Sequence, residues 1–263
     1  MTWPFENDTS GIVKRISNRS ISANRKRNIF IILTIALASA LLSAIVLYGF
    51  GVMQETQNRN QKTAQIMYHA ISEQQGQELY KQEEIAWVGE FFNAFSEQVN
   101  HSTVNFTYAN ADMLKSQSMP YSGDLPASEN EIVVQESFLD SLGYSNELGQ
   151  TIQIPFSDGT THDFKLTGIL DVKTGDIGRY TAIISKELVR QQYGDEGMID
   201  YYIGLKGAQN MSEEEATNYA NTLAQQLKIS DDNVIVRSTY FNLKDENRGS
   251  DMLFYFLIGF ITF

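Results

Sequence analysis

The sequence predicts an α+β domain inserted between two transmembrane α-helices, the second of them truncated. Three observations carry this. Ile29 to Met53 is an apolar run of 25 residues with no charged, amide or imidazole side chain, interrupted only by Thr34, Ser39 and Ser43. A second apolar run, MLFYFLIGFITF, closes the chain after Asp251. Between them, short stretches with a two-residue alternation follow one another with short helical patterns in between, the signature of a mixed α+β domain.

The first run would form a helix of roughly 36 Å at about 1.5 Å per residue, long enough for a hydrocarbon core of about 30 Å. Its flanks orient it. Lys14, Arg15, Arg19, Arg25, Lys26 and Arg27 precede it against only Glu6 and Asp8, whereas Glu55, Arg59 and Lys62 follow. The positive-inside rule then places the N-terminus in the cytoplasm and the bulk of the chain outside. A cleaved signal peptide is the alternative, with Ala38-Ser39-Ala40 as a small-residue site, but that site lies within the apolar run. The 263 residues carry a formal charge of −12, and residues 1–28 hold +4 of it, so residues 29–263 stand at −16. An acidic exterior argues against nucleic acid as a partner, because phosphate contacts need stripes of Lys and Arg. Cysteine is absent, which removes disulfide and thiol chemistry; a domain of this size can bury a sufficient core without them.

Taken in order, Asp8-Thr9-Ser10 offer caps for a helix starting near Gly11, with Ile12, Val13, Ile16 and Ser20 near one face. This reads as an amphipathic segment on the inner membrane surface, ending in a turn near Asn24. Residues 1–28 thus form a cytoplasmic elbow, 29–53 the first span, 54–250 the external domain and 251–263 the start of a second span. Gln54 to Asn60 continues the first helix as a stalk. Thr63 to Ile71 alternates as a half-buried strand, and Ser72-Glu73 open a short helix reaching Lys81. Ile85 to Phe95 reads as an aromatic-rich strand, with Val104 to Tyr108 its antiparallel neighbour. Pro120 to Glu131 is a turn-rich loop.

Ile132 to Val134 is a buried strand, and Ser137 to Leu142 a helical turn stopped by Gly143. Thr151 to Pro155 and Asp163 to Leu170 are strands about the turn at Ser157-Asp158-Gly159. Tyr180 to Ile184 is a strand, Lys186 to Tyr193 a helix and Ile199 to Leu205 a strand. Ser212 with Glu215 forms a capping box for a helix whose Ala216, Tyr219, Ala220, Leu223, Ala224 and Leu227 share a face. Val234 to Val236 is the last strand. The final 12-residue apolar run gives only about 18 Å of helix, too short to span. It reads as the beginning of a second transmembrane helix, with a short reentrant anchor as the alternative.

The sequence names no catalytic, cofactor-binding or metal-binding residue. His69, His101 and His162 are widely spaced and form no paired-ligand motif. Asp231-Asp232 and Glu213-Glu214-Glu215 suit solvated positions near helix starts. Asp158-Gly159 lacks the ligand spacing of a calcium loop. There is no P-loop, no GxSxG and no Cys-His pair. Asn100, Asn105 and Asn210 lie in Asn-x-Ser/Thr sequons, relevant only in a eukaryotic secretory pathway. Trp87, Phe91, Phe92 and Phe95 could line a substrate surface, although sheet core is the simpler assignment.

Two segments carry a family resemblance. WPFENDTSGIVKRISNRSISANRKRNIFIILTIALASALLSAI, with Arg25-Lys26-Arg27-Asn28 ahead of an Ala/Leu/Ser-rich helix, resembles the start of MacB/FtsX-type ABC-transporter permeases of Gram-positive bacteria. GDLPASENEIVVQESFLDSLGYSNELGQTIQI, from Gly123 to Ile154, is similar to their external segment, and FKLTGIL, Phe164 to Leu170, resembles the strand after it. The resemblance implies a non-catalytic permease subunit in the lipid bilayer, with an external domain of the MacB-like periplasmic core type. It implies a separate ABC ATPase subunit and a second permease copy as partners, with no cofactor. ATP-driven export or mechanotransmission would act on peptides, antibiotics, lipoproteins or cell-wall hydrolases. Trp3, Phe5, Ile12, Arg15, Ile16 and Arg19 would then seat the elbow on the membrane and the ATPase. A membrane-anchored sensor with an external ligand-binding domain shares the two-helix layout and is the alternative.

Overall fold

The computed structural model describes residues 10–172, 179–194 and 199–242. The caps expected at Asp8 and Thr9, the aromatic pair Trp3 and Phe5, and the second apolar run lie outside the described residues.

Two helices come first among the described residues. α1 (Ser10–Ala23) and α2 (Arg25–Lys62) meet at the turn at Asn24. Ile12, Val13 and Ile16 on α1 are all exposed. α2 carries an apolar stretch, Arg25–Gly51, of mean hydropathy 2.8 with none of it buried within the protein. By length and composition this stretch suits a bilayer, where lipid would cover what the protein does not. Two of its hydroxyls are satisfied inside the helix: Thr34 donates to the Phe30 carbonyl at 2.8 Å and Ser43 to the Ser39 carbonyl at 2.9 Å.

The remaining elements build one ten-stranded mixed sheet. In chain order they are β1 (Ile66–Ile71), α3 (Glu73–Leu79), β2 (Ile85–Val99), β3 (Ser102–Ala109), α4 (Ala111–Ser116), β4 (Tyr121–Gly123), β5 (Glu131–Gln135) and α5 (Glu136–Leu142). There follow β6 (Thr151–Pro155), β7 (Thr161–Leu170), β8 (Arg179–Ile184), α6 (Lys186–Tyr193), β9 (Ile199–Leu205), α7 (Glu213–Leu227) and β10 (Val234–Val236). The spatial order is β10-β1-β9-β2-β3-β8-β5-β7-β4, with β6 on the same edge of β7 as β4. β3–β8 and β5–β7 are parallel and the other pairings antiparallel.

β2 organises the sheet. Its first half pairs with β9 and its second half with β3, so one 15-residue strand belongs to two half-sheets. On one face, α3 and α7 cover the first half-sheet over Ile66, Tyr68, Val88, Tyr201 and Ile203. On the same face, α5 and α6 cover the second half-sheet over Val104, Phe106, Ile132, Val134 and Ile184. The opposite face carries a smaller cluster, in which α4 lays Met113 and Leu114 against Ala109, Val133 and Ile183. The alternation of β3 explains this partition: Val104 and Phe106 point to one side, while Asn105, Thr107 and Ala109 point to the other.

Caps fix the helix starts. Ser72 with Gln75 and Ser212 with Glu215 are complete capping boxes, and the side chains of Asn110 and Ser185 cap α4 and α6. Gly143 ends α5 at φ +79°, a left-handed conformation that costs glycine little. Three expectations need correction. The alternation over Thr63–Ile71 is broken, because Ala70 takes φ +47° at a bulge and turns Ile71 back into the core. Gln65 is also buried; its amide oxygen accepts from the Leu205 amide at 2.7 Å, so it fills a core position as a hydrogen-bonding partner. The 120–131 segment is not all loop: Tyr121–Gly123 pairs with Gly168–Leu170.

Candidate functional site

At the seam between the two half-sheets lies a buried charge. Glu90, opposite Tyr201 of β9, stands one residue before Phe91, where pairing with β3 begins, and its side chain is only 6 % exposed. A strand interior offers no water to a carboxylate there, so protein donors must replace it. Three do. Tyr80, which closes α3, donates its hydroxyl to Oε1 at 2.8 Å. Tyr108 on β3 donates to Oε2 at 2.6 Å, and Lys186 at the start of α6 donates to the same oxygen at 2.9 Å. Burial first, and then the neighbouring Glu90 carboxylate, push the Tyr80 and Tyr108 phenols well above their ordinary range, so both remain donors at any physiological pH.

Asn110 supports the arrangement from beneath. Its Oδ1 accepts from the Glu90 amide at 3.0 Å and the Met113 amide at 2.9 Å, while Nδ2 donates to the Val88 carbonyl at 2.9 Å. Beyond Lys186 the network continues to Glu73 on α3, whose Oε1 lies 3.2 Å from Nζ, and Arg190 on α6 pairs with the other oxygen of Glu73. α3 belongs to the first half-sheet and α6 to the second, so Glu73, Glu90, Lys186 and Arg190 tie the two halves together. Tyr201 on β9 is fully buried, and its hydroxyl has no partner among the described residues. Burial, with Glu90 and Glu73 adding to it, raises its pKa as well.

Glu73 yields a pH-dependent prediction. Partial burial opposes its ionisation, but the hydrogen bonds and charges of Arg190 and Lys186 outweigh that and hold its pKa below the ordinary 4.5. Because the folded value lies below the unfolded one, the stabilisation is complete above about pH 4.5 and is lost as pH falls through the lowered value. The stability gap between the wild type and Glu73→Gln, measured by urea unfolding, should be constant from pH 8 to 6 and close in the acid range. A gap that widens on acidification would contradict the pairing.

A second feature lies on the opposite face. A concavity of about 270 Å³ opens where α4 ends against β2, β3 and β8. Asn93, Asn105, Thr107, Gln117 and Thr181 supply its polar lining, and Phe91, Leu114, Met119 and Ile183 its apolar part.

The aromatic residues singled out in the sequence are distributed by this two-faced architecture. Phe92 packs edge-on against Tyr193, and Phe95 stacks on Phe106, on the helix-covered face. Phe91 lies on the other face, edge-on to Tyr202 and lining the concavity. Trp87 lies over Gly204 on β9, where a Cβ would overlap the indole. His69 is exposed and 2.6 Å from Asp200; His101 occupies the β2–β3 turn; His162 packs on Phe156. Among the described residues no three His, Asp or Glu side chains gather in a metal-binding group. The seam network escapes sequence reading because its members are 10, 18 and 96 positions from Glu90. The available signal was a Glu inside an otherwise apolar strand core.

The chain belongs to the MacB-like periplasmic core domain family, whose model matches residues 29–236. Its sheet domain is accordingly of the type found outside the membrane in transporter permeases. Similar solved structures include the periplasmic region of MacB from Actinobacillus actinomycetemcomitans, at 13 % identity and TM-score 0.48 over 69 % of this chain and 92 % of that one. The extracellular domain of the noncanonic ABC-type transporter YknZ from Gram-positive bacteria is similar at 10 % identity and TM-score 0.48, over 66 % of this chain and 98 % of that one. No curated protein gives a match.

Proposed function

We propose that this chain is the non-catalytic permease subunit of an ABC transporter, coupled to a separate ATPase subunit and paired with a second permease copy. In this reading residues 1–28 lie in the cytoplasm and 29–53 cross the bilayer. Residues 54–250 stand outside, and the run after Asp251 begins a second span. ATP-driven closure of the ATPase would move the spans, and the external domain would pass that motion on for export or mechanotransmission. The observation that carries the reading is the family match, which runs continuously from an unburied apolar helix through the whole sheet domain.

The exposed apolar residues of α1 give the test. Tagged protein, purified from its own membranes in mild detergent, should bring a P-loop ATPase with it. Ile12→Asp combined with Ile16→Asp should reduce ATPase recovery severalfold, while the sheet domain keeps its unfolding midpoint. Wild-type protein that carries no ATPase would overturn the reading. Unchanged recovery in the double variant would remove α1 from the contact.

A further inference from the structure

The concavity beside α4 has a lining whose chemistry selects a ligand class. Asn93 faces Thr107 across the β2–β3 pair, and Asn105 faces Thr181 across β3–β8, so four neutral polar side chains form a compact patch on one sheet face. Gln117, just past the last turn of α4, overhangs it. Among the described residues no charged side chain contributes to the lining, although the chain as a whole is strongly acidic. Nor is the patch satisfied internally. Asn105 accepts one bond from Ser96 at 2.7 Å, while the side chains of Asn93, Thr107, Gln117 and Thr181 enter no hydrogen bond among the described residues. Thr107 is nevertheless only 7 % exposed.

Amide and hydroxyl groups each present donors and acceptors at once, as does a sugar hydroxyl. A surface of such groups can satisfy a ring of hydroxyls in several orientations, whereas an ion would find no counter-charge and would lose its hydration. Phe91 adds an apolar wall against which the C–H face of a pyranose can lie. The volume of about 270 Å³ lies just below the roughly 300–1,000 Å³ of pockets for drug-sized ligands, which suits no more than one sugar unit. We propose that this concavity binds a neutral saccharide unit, either a free sugar or one residue of a glycan chain. The inference depends on the sheet domain alone, so it stands or falls separately from ATPase coupling.

The test uses the full chain in lipid nanodiscs, free of glycoside detergents. Saturation-transfer NMR would be recorded with N-acetylglucosamine, chitotetraose and maltotetraose as neutral probes, and with glucuronic acid and glucosamine as charged ones. At least one neutral probe should bind in the millimolar range or better, and the charged probes at least about tenfold more weakly. Thr107→Val and Gln117→Leu should each weaken binding by about tenfold, the loss of one well-made hydrogen bond at a desolvated site. Gln117 is exposed at a helix end, so its replacement keeps the test valid if Thr107→Val impairs folding. Chitotetraose binding more tightly than its monomer would assign the ligand to a glycan chain, and equal binding to a free sugar; both support the site. The proposal is overturned if no neutral probe binds, if charged sugars bind equally well, or if Gln117→Leu leaves binding unchanged in a folded protein.

Discussion

Replacing Lys186 with methionine should destabilise the sheet domain by about 3 kcal/mol. Methionine preserves most of the aliphatic stem, so the change isolates the charge. It leaves Glu90, 6 % exposed, without its cationic partner in the middle of the sheet. Removing one member of a buried pair costs more than the pair itself contributes, because the remaining charge cannot recover its hydration. Tyr80 and Tyr108 still donate to the carboxylate, which keeps the cost toward the low end for such pairs. Adding Glu90→Gln should recover most of the loss, since a neutral amide no longer needs a counter-charge. The measurement is urea unfolding of the full chain in nanodiscs, followed through tryptophan fluorescence. A loss below about 1 kcal/mol, or no recovery in the double variant, would show the seam to be solvated and the network peripheral.

Gly76→Ala should cost about 2 kcal/mol, although alanine is the better helix former by about 1 kcal/mol. Gly76 sits inside α3 with ordinary helical backbone and is buried. A Cβ there would overlap the Tyr201 ring at Cζ, Oη and Cε1. That ring is fully buried between α3 and the sheet, so neither partner can give way cheaply. The helix must lift from β9, which also strains the Glu73 contact to α6. Because the clash is with one side chain, Gly76→Ala and Tyr201→Leu should be strongly non-additive. Simple additivity in a double-mutant cycle would show that the cost does not arise at the Tyr201 ring.

The contrast between these two sites shows what a sequence discloses. α6 and β9 have the boundaries expected of them, Lys186–Tyr193 and Ile199–Leu205, because Ser185 caps one and an apolar run marks the other. The α7 capping box and its buried Ala216, Ala220, Leu223 and Ala224 also follow from local spacing. The aromatic-rich pattern marks β2 only to Phe95, yet the strand continues to Val99. Its last residues alternate Ser96 and Gln98 with Glu97 and Val99, and only one of the four is apolar, so the pattern fades while the hairpin pairing persists. α4 leaves no periodic signal in the sequence, although Asn110 followed by Asp112, Met113 and Leu114 is a capped start with an acidic first turn. Six residues are too few to show a period. The Glu90 network and the polar concavity depend on contacts between distant strands, and no local window contains them.

β1 and β10 are neighbours, with Ile66 at the beginning of one opposite Val236 at the end of the other. The polypeptide therefore enters and leaves this domain through the same doorway. Tension between whatever precedes β1 and whatever follows β10 would load first the buried Tyr240 and Phe241 just past β10 and then that short three-residue ladder, peeling it like a zipper and sparing the long β2–β3 hairpin. The same layout makes the domain a cassette: it can be exchanged between hosts at a single point, because its two ends need no scaffold to hold them together.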